Sequence, residues 1–170
     1  MTNVDQALDE FDRLWRQGKR PQLGTFLNAS DVPSDQRQEL LAELVAIDLE
    51  YRWRAVNEAD TASQPSASMS GAVSDAETSA GEFARLPLIE DYQADWPELA
   101  GDSGPLATLI AEEFRIRQRF GDRPLVEEYF QRFGNDDALR SELEQIRREL
   151  RQDQQTRENV ATDLEGDEDF

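Results

Sequence analysis

The sequence contains no cysteine and no histidine. The first absence excludes disulfides, thiol chemistry and cysteine-ligated zinc, and the second removes the commonest general base and the commonest metal ligand. No run of residues approaches the roughly 20 apolar residues that a membrane-spanning helix needs. The first residues are acidic and polar and lack the charged-then-apolar order of a signal peptide. We therefore expect a soluble, cytoplasmic protein with no membrane partner.

Positive charge is scarce as well. Lys19 is the only lysine, and 18 Lys and Arg residues stand against 37 Asp and Glu residues, which gives a formal net charge of −19. Phosphate backbones are bound by clustered Lys and Arg, so this balance argues against a nucleic-acid partner. An acidic surface instead attracts basic protein surfaces. We expect a protein partner and no cofactor.

Strands of alternating β-branched residues between turn signals are also missing, and the apolar residues recur at helical spacing instead. This pattern predicts an all-α fold, a small helical repeat or bundle in which long helices alternate with short helices that each follow a proline. The longest helix is predicted to end at about Val56 and the last helix at about Gln152. Gly121 is expected to take the left-handed conformation just past a helix end.

Three short segments resemble one another and predict a repeated packing unit. Each begins at a proline and has an aliphatic residue two places later and an aromatic residue five places later. A repeated unit that cannot bury its apolar face alone has to stack on its neighbours. Coincidental similarity between amphipathic helices is the alternative. The residues that we expect to form the core of the repeat are Pro21, Phe26, Pro87, Tyr92, Pro124 and Tyr129.

Composition divides the chain into four parts. Residues 3–56 and 85–152 carry the helical pattern and are predicted to pack together. Residues 57–84 are rich in Ser, Ala, Thr and acids and contain no Lys or Arg. Their apolar surface is too small to offset the entropy of ordering, so we predict a disordered insert. Residues 153–170 are predicted to be a disordered acidic tail.

Several side chains are candidates for contact with a partner or for modification by one. Trp53 falls outside the apolar stripe of the longest helix, so it either packs in the core, as large aromatic residues usually do, or contacts a partner. The insert carries hydroxyl side chains that are candidate phosphate acceptors, among them Ser66, Ser68, Ser70 and Ser74. A plain spacer is the alternative interpretation of the insert.

The acidic residues do not predict a reaction centre. Two pairs of adjacent acids, Glu90 with Asp91 and Glu127 with Glu128, lie in the first turns of predicted helices. Neighbouring helical residues point about 100° apart, so such a pair cannot converge on one bond. The acids instead suit the positive end of the helix dipole. The acidic tail lacks the glycine position and the distal glutamate of a calcium loop. We predict no catalytic residue and no metal site.

Three stretches taken together are similar to a known family. They are Phe11-x3-Trp15-x2-Gly18-x-Arg20-Pro21, Leu40-Leu41-x-Glu43-Leu44-x2-Ile47-Asp48-Leu49-Glu50-Tyr51-Arg52 and Gly121-x-Arg123-Pro124-x2-Glu127-Glu128-Tyr129-x2-Arg132-Phe133. In this order they resemble the N-terminal region that precedes the catalytic domain in Hanks-type serine/threonine kinases of planctomycete-like bacteria. The resemblance covers most of the chain except the insert and the tail.

This resemblance implies a non-catalytic interaction or regulatory module of a bacterial serine/threonine kinase pathway, with a kinase or a kinase substrate as its partner. It brings no catalytic residues, because those of the family lie in the kinase domain. The charge and the acidic tail support a different hypothesis, an acidic decoy or anti-factor that occupies a basic protein surface. A hydrolase that acts through carboxylates is the remaining alternative.

Overall fold

The computed structural model describes residues 3–62, 86–100 and 105–164, and every regular element in these ranges is a helix. The predicted all-α class is therefore confirmed. A single turn of 3-10 helix, Pro97–Ala100, lies between the fourth and fifth α-helices. The α-helices of the described ranges are α1 (Val4–Arg16), α2 (Leu23–Ala29), α3 (Arg37–Ala62), α4 (Ile89–Asp95), α5 (Leu106–Phe120), α6 (Val126–Phe133) and α7 (Asp137–Leu164).

The chain forms two compact units, Met1–Arg123 and Pro124–Phe170. The sequence prediction divides the helical parts at residues 57–84 by composition and expects them to pack together. The helices that follow those residues, α4 and α5, belong to the first unit, in which α5 packs against both α3 and α4. The boundary between the two units falls at the proline that precedes α6.

Helix α3 is the central helix of the first unit, since α1, α2 and α5 all pack against it. A helix that is covered on several sides carries apolar residues around most of its circumference. Each fully buried aliphatic or aromatic side chain contributes about 1.5–3 kcal/mol of transfer free energy. The buried apolar residues of α3 are Leu40, Leu41, Ala42, Leu44, Val45, Leu49 and Trp53.

The Gly-x-Arg-Pro sequence occurs twice, at residues 18–21 and 121–124, and in both copies the arginine has a positive φ. Arg20 (φ 45°) and Arg123 (φ 53°) both take a left-handed conformation directly before a proline. The proline ring disfavours the right-handed helical conformation in the residue before it, so the helix cannot continue there. Gly18 is also left-handed (φ 73°), but Gly121 has φ −127°, so the prediction for Gly121 is wrong. The threefold repeat itself stays a prediction.

Two helices extend beyond their predicted ends. Helix α3 continues to Ala62 rather than stopping at Val56, and α7 continues to Leu164 rather than stopping at Gln152. Both extensions are free of glycine and proline and contain several good helix formers, so propensity favours propagation of a helix that has already formed. The predicted disorder is therefore wrong for residues 57–62 and 153–164. The four candidate phosphoacceptor serines lie outside the described residues.

In the second unit, α6 packs against α7. Gly134, with φ 91°, follows α6 and supplies the left-handed turn that separates the two helices. Helix α7 is then capped by Asp136, whose Oδ1 accepts a 2.9 Å hydrogen bond from the backbone N–H of Ala138. The buried apolar residues of the two helices are Val126, Tyr129, Leu139, Leu143 and Ile146.

Candidate functional site

A pocket of about 420 Å³ lies in the first unit, where residues of α2, α3 and α4 come together. Charged and aromatic side chains line it together with the aliphatic residues Leu23 and Pro87. The residues that give it this character are Asp48, Arg52, Asp91, Tyr92, Asp95 and Trp96.

Asp48 is the most deeply buried acid of this pocket, with 2% of its surface exposed. Its Oδ2 atom accepts a 2.6 Å hydrogen bond from the hydroxyl of Tyr92 and a 2.7 Å hydrogen bond from Nε of Arg52. Its Oδ1 atom is buried as well but accepts no hydrogen bond. Burial of a carboxylate costs free energy unless the charge is paired and hydrogen-bonded. One oxygen of Asp48 is thus hydrogen-bonded twice, and the other is buried without a donor.

The protonation states of the neighbours of Asp48 follow from the geometry. Burial raises the pKa of Tyr92, and the adjacent charge of Asp48 raises it further, so the phenol stays neutral and donates its proton to the carboxylate. Burial lowers the pKa of Arg52, but the hydrogen bond and the charge of Asp48 outweigh this effect and raise it overall. The cluster therefore holds one carboxylate, one guanidinium and one neutral phenol.

Arg52 also connects the pocket to α1. Its guanidinium carbon lies 5.7 Å from the ring centroid of Trp15, while its Nε atom donates to Asp48. The ring of Trp15 in turn stacks on Tyr51 at 5.3 Å with an interplanar angle of 3°. The hydroxyl of Tyr51 donates a 2.7 Å hydrogen bond to Oδ1 of Asp12 in α1. The Arg52 side chain is thereby held by a hydrogen bond to Asp48 and by its contact with the ring of Trp15.

Aromatic rings and further acids complete the lining of the pocket. Trp96 is half-buried and stacks on Tyr92, with ring centroids 6.3 Å apart. Asp91 is used locally, because its Oδ2 accepts a 2.8 Å hydrogen bond from the backbone N–H of Leu88 and so caps α4. Asp95 is exposed at the end of the same helix. The pocket thus combines a buried carboxylate with an aromatic wall and an exposed acid.

The predicted repeat-core residues are not all equally buried. Four of them lie in the first unit and two in the second. Phe26 is only half-buried and meets Phe11 edge to face at 4.9 Å, so it packs against α1 rather than in the centre of the unit. Tyr92 is the one that takes part in the pocket. Tyr92, Pro124 and Tyr129 are buried, and Pro21, Phe26 and Pro87 are half-buried.

Trp53 lies in the core of the first unit, with 1% of its surface exposed. Its Nε1 atom donates a 3.3 Å hydrogen bond to the backbone carbonyl of Pro87, and the guanidinium of Arg117 lies 5.6 Å from its ring centroid. The interpretation of Trp53 as a partner contact is therefore wrong, because its ring has no free surface. The residue falls outside the sequence stripe because it faces the segments around α4 and α5 that cover a further side of α3.

A buried ionic cluster on α5 has a structural role. Glu113 is fully buried, and its Oε2 atom accepts a 2.7 Å hydrogen bond from the backbone N–H of Ile89 at the start of α4. Arg117 lies 3.4 Å from Oε1 of Glu113 and also forms a bidentate pair with Asp122, at 2.9 and 2.6 Å. These bonds tie α4 and the turn after α5 to one face of α5.

The sequence reasoning missed the buried polar residues Asp48, Glu113 and Arg117. Their positions could have indicated burial, because each is a charged residue among buried apolar residues of its own helix. Charged residues are almost never fully buried unless they are paired, so a charge on an apolar helix face indicates a specific partner. The sequence alone does not say which partner that is.

A second cavity, of about 350 Å³, is a groove between α3 and α5. Its apolar lining includes Ala42, Ala46, Ile47, Leu109 and Ile116. Three glutamates line it as well, and they are Glu43, Glu50 and Glu112. Glu50 pairs with Arg54 and Glu112 pairs with Arg115, each within its own helix. The groove therefore joins an apolar surface to a set of carboxylates.

The described residues thus form a helical protein in which a polar pocket and an acidic groove adjoin the central helix α3. Comparisons of the chain with protein-family models, with curated proteins and with solved structures give no match. Within the described ranges, no helix has the length and apolar character required to cross a bilayer. The same ranges contain no group of three or more acidic side chains arranged to hold a metal ion.

Proposed function

We propose that this chain is a non-catalytic protein-interaction module of a serine/threonine kinase pathway, and that an amphipathic helix of its partner docks in the groove between α3 and α5. The observation that carries the docking surface is the combination of apolar side chains and three glutamates in one groove. A helix with an apolar face and flanking Lys or Arg residues complements such a surface in both shape and charge. The link to a kinase rests on the sequence resemblance.

The lining of the groove supports a helix as the occupant. Ala42 and Ala46 are spaced one helical turn apart on α3, so their small side chains allow another helix to approach closely. Ile47 is half-buried and leaves apolar surface for a partner to cover. Helix-in-groove recognition uses side chains at i, i+3, i+4 and i+7 as anchors, and this spacing suits a groove that runs along two helices.

Charge supports a basic partner rather than a second copy of this chain. Glu43 is exposed, and the pairs that Glu50 and Glu112 make with arginines are partly exposed. Ion pairs that reach solvent contribute about 0–1 kcal/mol, so the glutamates can exchange them for cations of a partner at little cost. A second copy also carries a formal net charge of −19, which opposes self-association.

The experiment compares two substitutions on the same helix. Ala46→Arg fills the groove with a large cation, whereas Ala55→Arg places the same side chain at an exposed position of α3 outside it. Immobilised full-length chain is used to capture proteins from native lysate, which are then identified by mass spectrometry. We expect a serine/threonine kinase or its substrate on the wild type and on Ala55→Arg, and its loss on Ala46→Arg.

The other outcomes decide between the parts of this proposal. Failure of the wild type to retain any kinase or kinase substrate would refute the proposed pathway. Equal retention by Ala46→Arg and Ala55→Arg would place the interaction outside the groove. Sedimentation equilibrium provides a further check, because a wild-type dimer that Ala46→Arg converts to a monomer would assign the groove to a second copy of this chain.

The net charge of −19 favours a second candidate function, that of an acidic decoy that covers a basic surface. The dependence of partner affinity on salt concentration distinguishes the two candidate functions. Raising the ionic strength from about 0.1 M to 1 M shortens the Debye length from about 10 Å to 3 Å. A decoy then loses its affinity for the partner by orders of magnitude. Docking that also buries apolar surface in the groove keeps a measurable affinity at the higher salt concentration.

A further inference from the structure

We propose that the pocket around Asp48 binds a single cationic group, a guanidinium or a primary ammonium, through the Oδ1 atom of Asp48, which is buried and accepts no hydrogen bond from the described residues. This site goes beyond the groove, because none of its lining residues lines the groove. The proposal therefore stands or falls independently of the partner proposed there.

The first argument is the unequal use of the two oxygens of Asp48. Tyr92 and Arg52 both donate to Oδ2, and together they hold the carboxylate in one orientation. The Oδ1 atom is buried and receives no donor. A buried acceptor without a donor costs free energy, and a ligand that brings a donor into the pocket removes this cost. Asp48 is also one of the residues that line the pocket, together with Tyr92 and Arg52.

The second argument is the sign of the charge in the pocket. Its charged side chains are three acids, Asp48, Asp91 and Asp95, and one cation, Arg52. Arg52 neutralises only one of the three, so an anion is repelled and a cation is favoured. A hydrogen bond between a charged donor and a carboxylate is also stronger than one from a neutral donor. The pocket therefore selects a cationic donor over a neutral one.

The third argument is the aromatic wall. Trp96 is half-buried, lines the pocket and stacks on Tyr92. The face of an indole attracts guanidinium and ammonium groups, and the chain already uses this contact where Arg52 lies over Trp15. Gly24 lines the pocket too, and a Cβ atom at this position would stand 3.6 Å from Cζ2 of Trp96. The absence of a side chain at Gly24 keeps the space beside the indole open.

The size of the pocket limits what accompanies the cation. A volume of about 420 Å³ falls near the lower end of the range of small-molecule sites. It accommodates a guanidinium or ammonium group with a short alkyl stem. Such a group comes either from a free alkylguanidine or amine, or from an arginine or lysine side chain of a protein. Both sources share the same chemistry at Asp48.

The test uses isothermal titration calorimetry on the full chain with matched pairs of probes. Butylguanidinium is compared with butylurea, its neutral isostere, and the peptide acetyl-Gly-Arg-Gly-amide is compared with the same peptide carrying citrulline. We expect each cationic probe to bind about tenfold or more tightly than its neutral partner. Binding of butylguanidinium alone identifies a small-molecule ligand, and binding of the peptide alone identifies a protein side chain; either result supports the site. Equal binding of charged and neutral probes, or no saturable binding of any of them, overturns it.

Three variants assign the binding to this pocket. Asp48→Asn removes the buried charge and is expected to abolish saturable binding of the cationic probes. Asp95→Asn changes an exposed residue, so it is expected to leave the fold intact and to weaken binding by about threefold to tenfold. Asp31→Asn makes the same charge change at an exposed position outside the pocket and is expected to have no effect. Equal affinities of Asp95→Asn and Asp31→Asn would overturn the assignment even if Asp48→Asn failed to fold.

The groove proposal and the pocket proposal are distinguished by testing the groove variant Ala46→Arg for cation binding in the Asp48 pocket. Ala46→Arg is expected to leave the affinity for butylguanidinium unchanged, because Ala46 does not line this pocket. A loss of cation binding in Ala46→Arg would contradict the assignment to the Asp48 pocket. Failure of the wild type to capture a kinase pathway protein leaves the cation-binding result untouched.

Discussion

The indole of Trp53 lies directly against the backbone of Gly121: a Cβ atom added to Gly121 would stand 2.5 Å from Cζ3 and 2.7 Å from Cε3 of the ring. Trp53 is fixed from the other side by its hydrogen bond to the carbonyl of Pro87. The ring therefore has little freedom to withdraw. Close packing, rather than a left-handed φ, is what requires glycine at this position.

Substitution of Gly121 by alanine is expected to lower the free energy of unfolding of the first unit by about 1–3 kcal/mol, the usual cost of overpacking a core. Urea unfolding followed by tryptophan fluorescence measures this change, since all three tryptophans belong to the first unit. Gly24→Ala is the matched control. A Cβ atom there makes only an ordinary 3.6 Å contact with Trp96, so alanine is expected to be neutral or to stabilise α2 by up to about 1 kcal/mol. Equal effects of the two substitutions would contradict the packing argument.

Tyr92→Phe is expected to destabilise the first unit by about 1.5–3 kcal/mol, because it removes a buried donor to the charged carboxylate of Asp48. Tyr51→Phe removes a comparable hydrogen bond to Asp12, but at a more exposed position, and is expected to cost about 0.5–1.5 kcal/mol. Urea midpoints at neutral pH compare the two variants. A cost for Tyr51→Phe that equals or exceeds that of Tyr92→Phe would show that burial of Asp48 is not the deciding factor.

Alkaline pH is expected to destabilise the first unit through Tyr92. Folding raises the pKa of this phenol, first by burial and then by the charge of Asp48, so the folded chain retains a proton that the unfolded chain releases above about pH 10. The stabilisation is fully present below that pH and is lost as the pH rises above it, with a limiting slope of about 1.4 kcal/mol per pH unit.

Unfolding measurements between about pH 9 and pH 11.5 test this dependence on both sides of the ordinary tyrosine pKa. The pKa of Tyr51 is also raised, by burial and by its hydrogen bond to Asp12, so this residue adds to the slope of the wild type. Tyr92→Phe is expected to show a shallower alkaline slope than the wild type. Identical slopes for the two proteins would show that Tyr92 does not titrate differently in the folded and unfolded states.

Arg117→Met is expected to destabilise the first unit by about 3–5 kcal/mol, because it removes a buried cation that pairs with the fully buried Glu113. The double variant Glu113→Gln with Arg117→Met removes the charge of Glu113 as well and keeps an acceptor for the N–H of Ile89. It is expected to be more stable than Arg117→Met alone. A double variant that loses the sum of the two single effects would contradict this electrostatic explanation.

The sequence predicted those parts of the fold that depend on periodicity. The helical spacing around Leu40 and Leu139 predicts helices that the structure contains. It left two interpretations open for Trp53, core packing and partner contact, because a single apolar stripe assumes one covered face and α3 is covered on several. The sequence also placed the C-terminal ends of α3 and α7 too early. Composition indicated disorder in these residues, whereas their helix propensity was sufficient to continue a helix that had already formed.

The candidate site was less accessible to sequence reasoning than the fold. The pattern placed Tyr92 on a buried face, but it gave no indication that its hydroxyl meets Asp48, which lies 44 positions earlier in the chain. The pairing of a buried polar group depends on which helices pack together and on their rotation about their own axes. The sequence can therefore single out a charged residue on an apolar face and still leave its partner undetermined.

The shared position of Arg52 gives the protein a built-in optical reporter. Its guanidinium lies over the ring of Trp15 while it is bound to Asp48, so the electric field at that indole depends on how firmly the carboxylate holds the cation. Indole emission responds to nearby charge. Light emitted from Trp15 in α1 is therefore expected to change in colour and intensity whenever the carboxylate of Asp48 acquires a new neighbour.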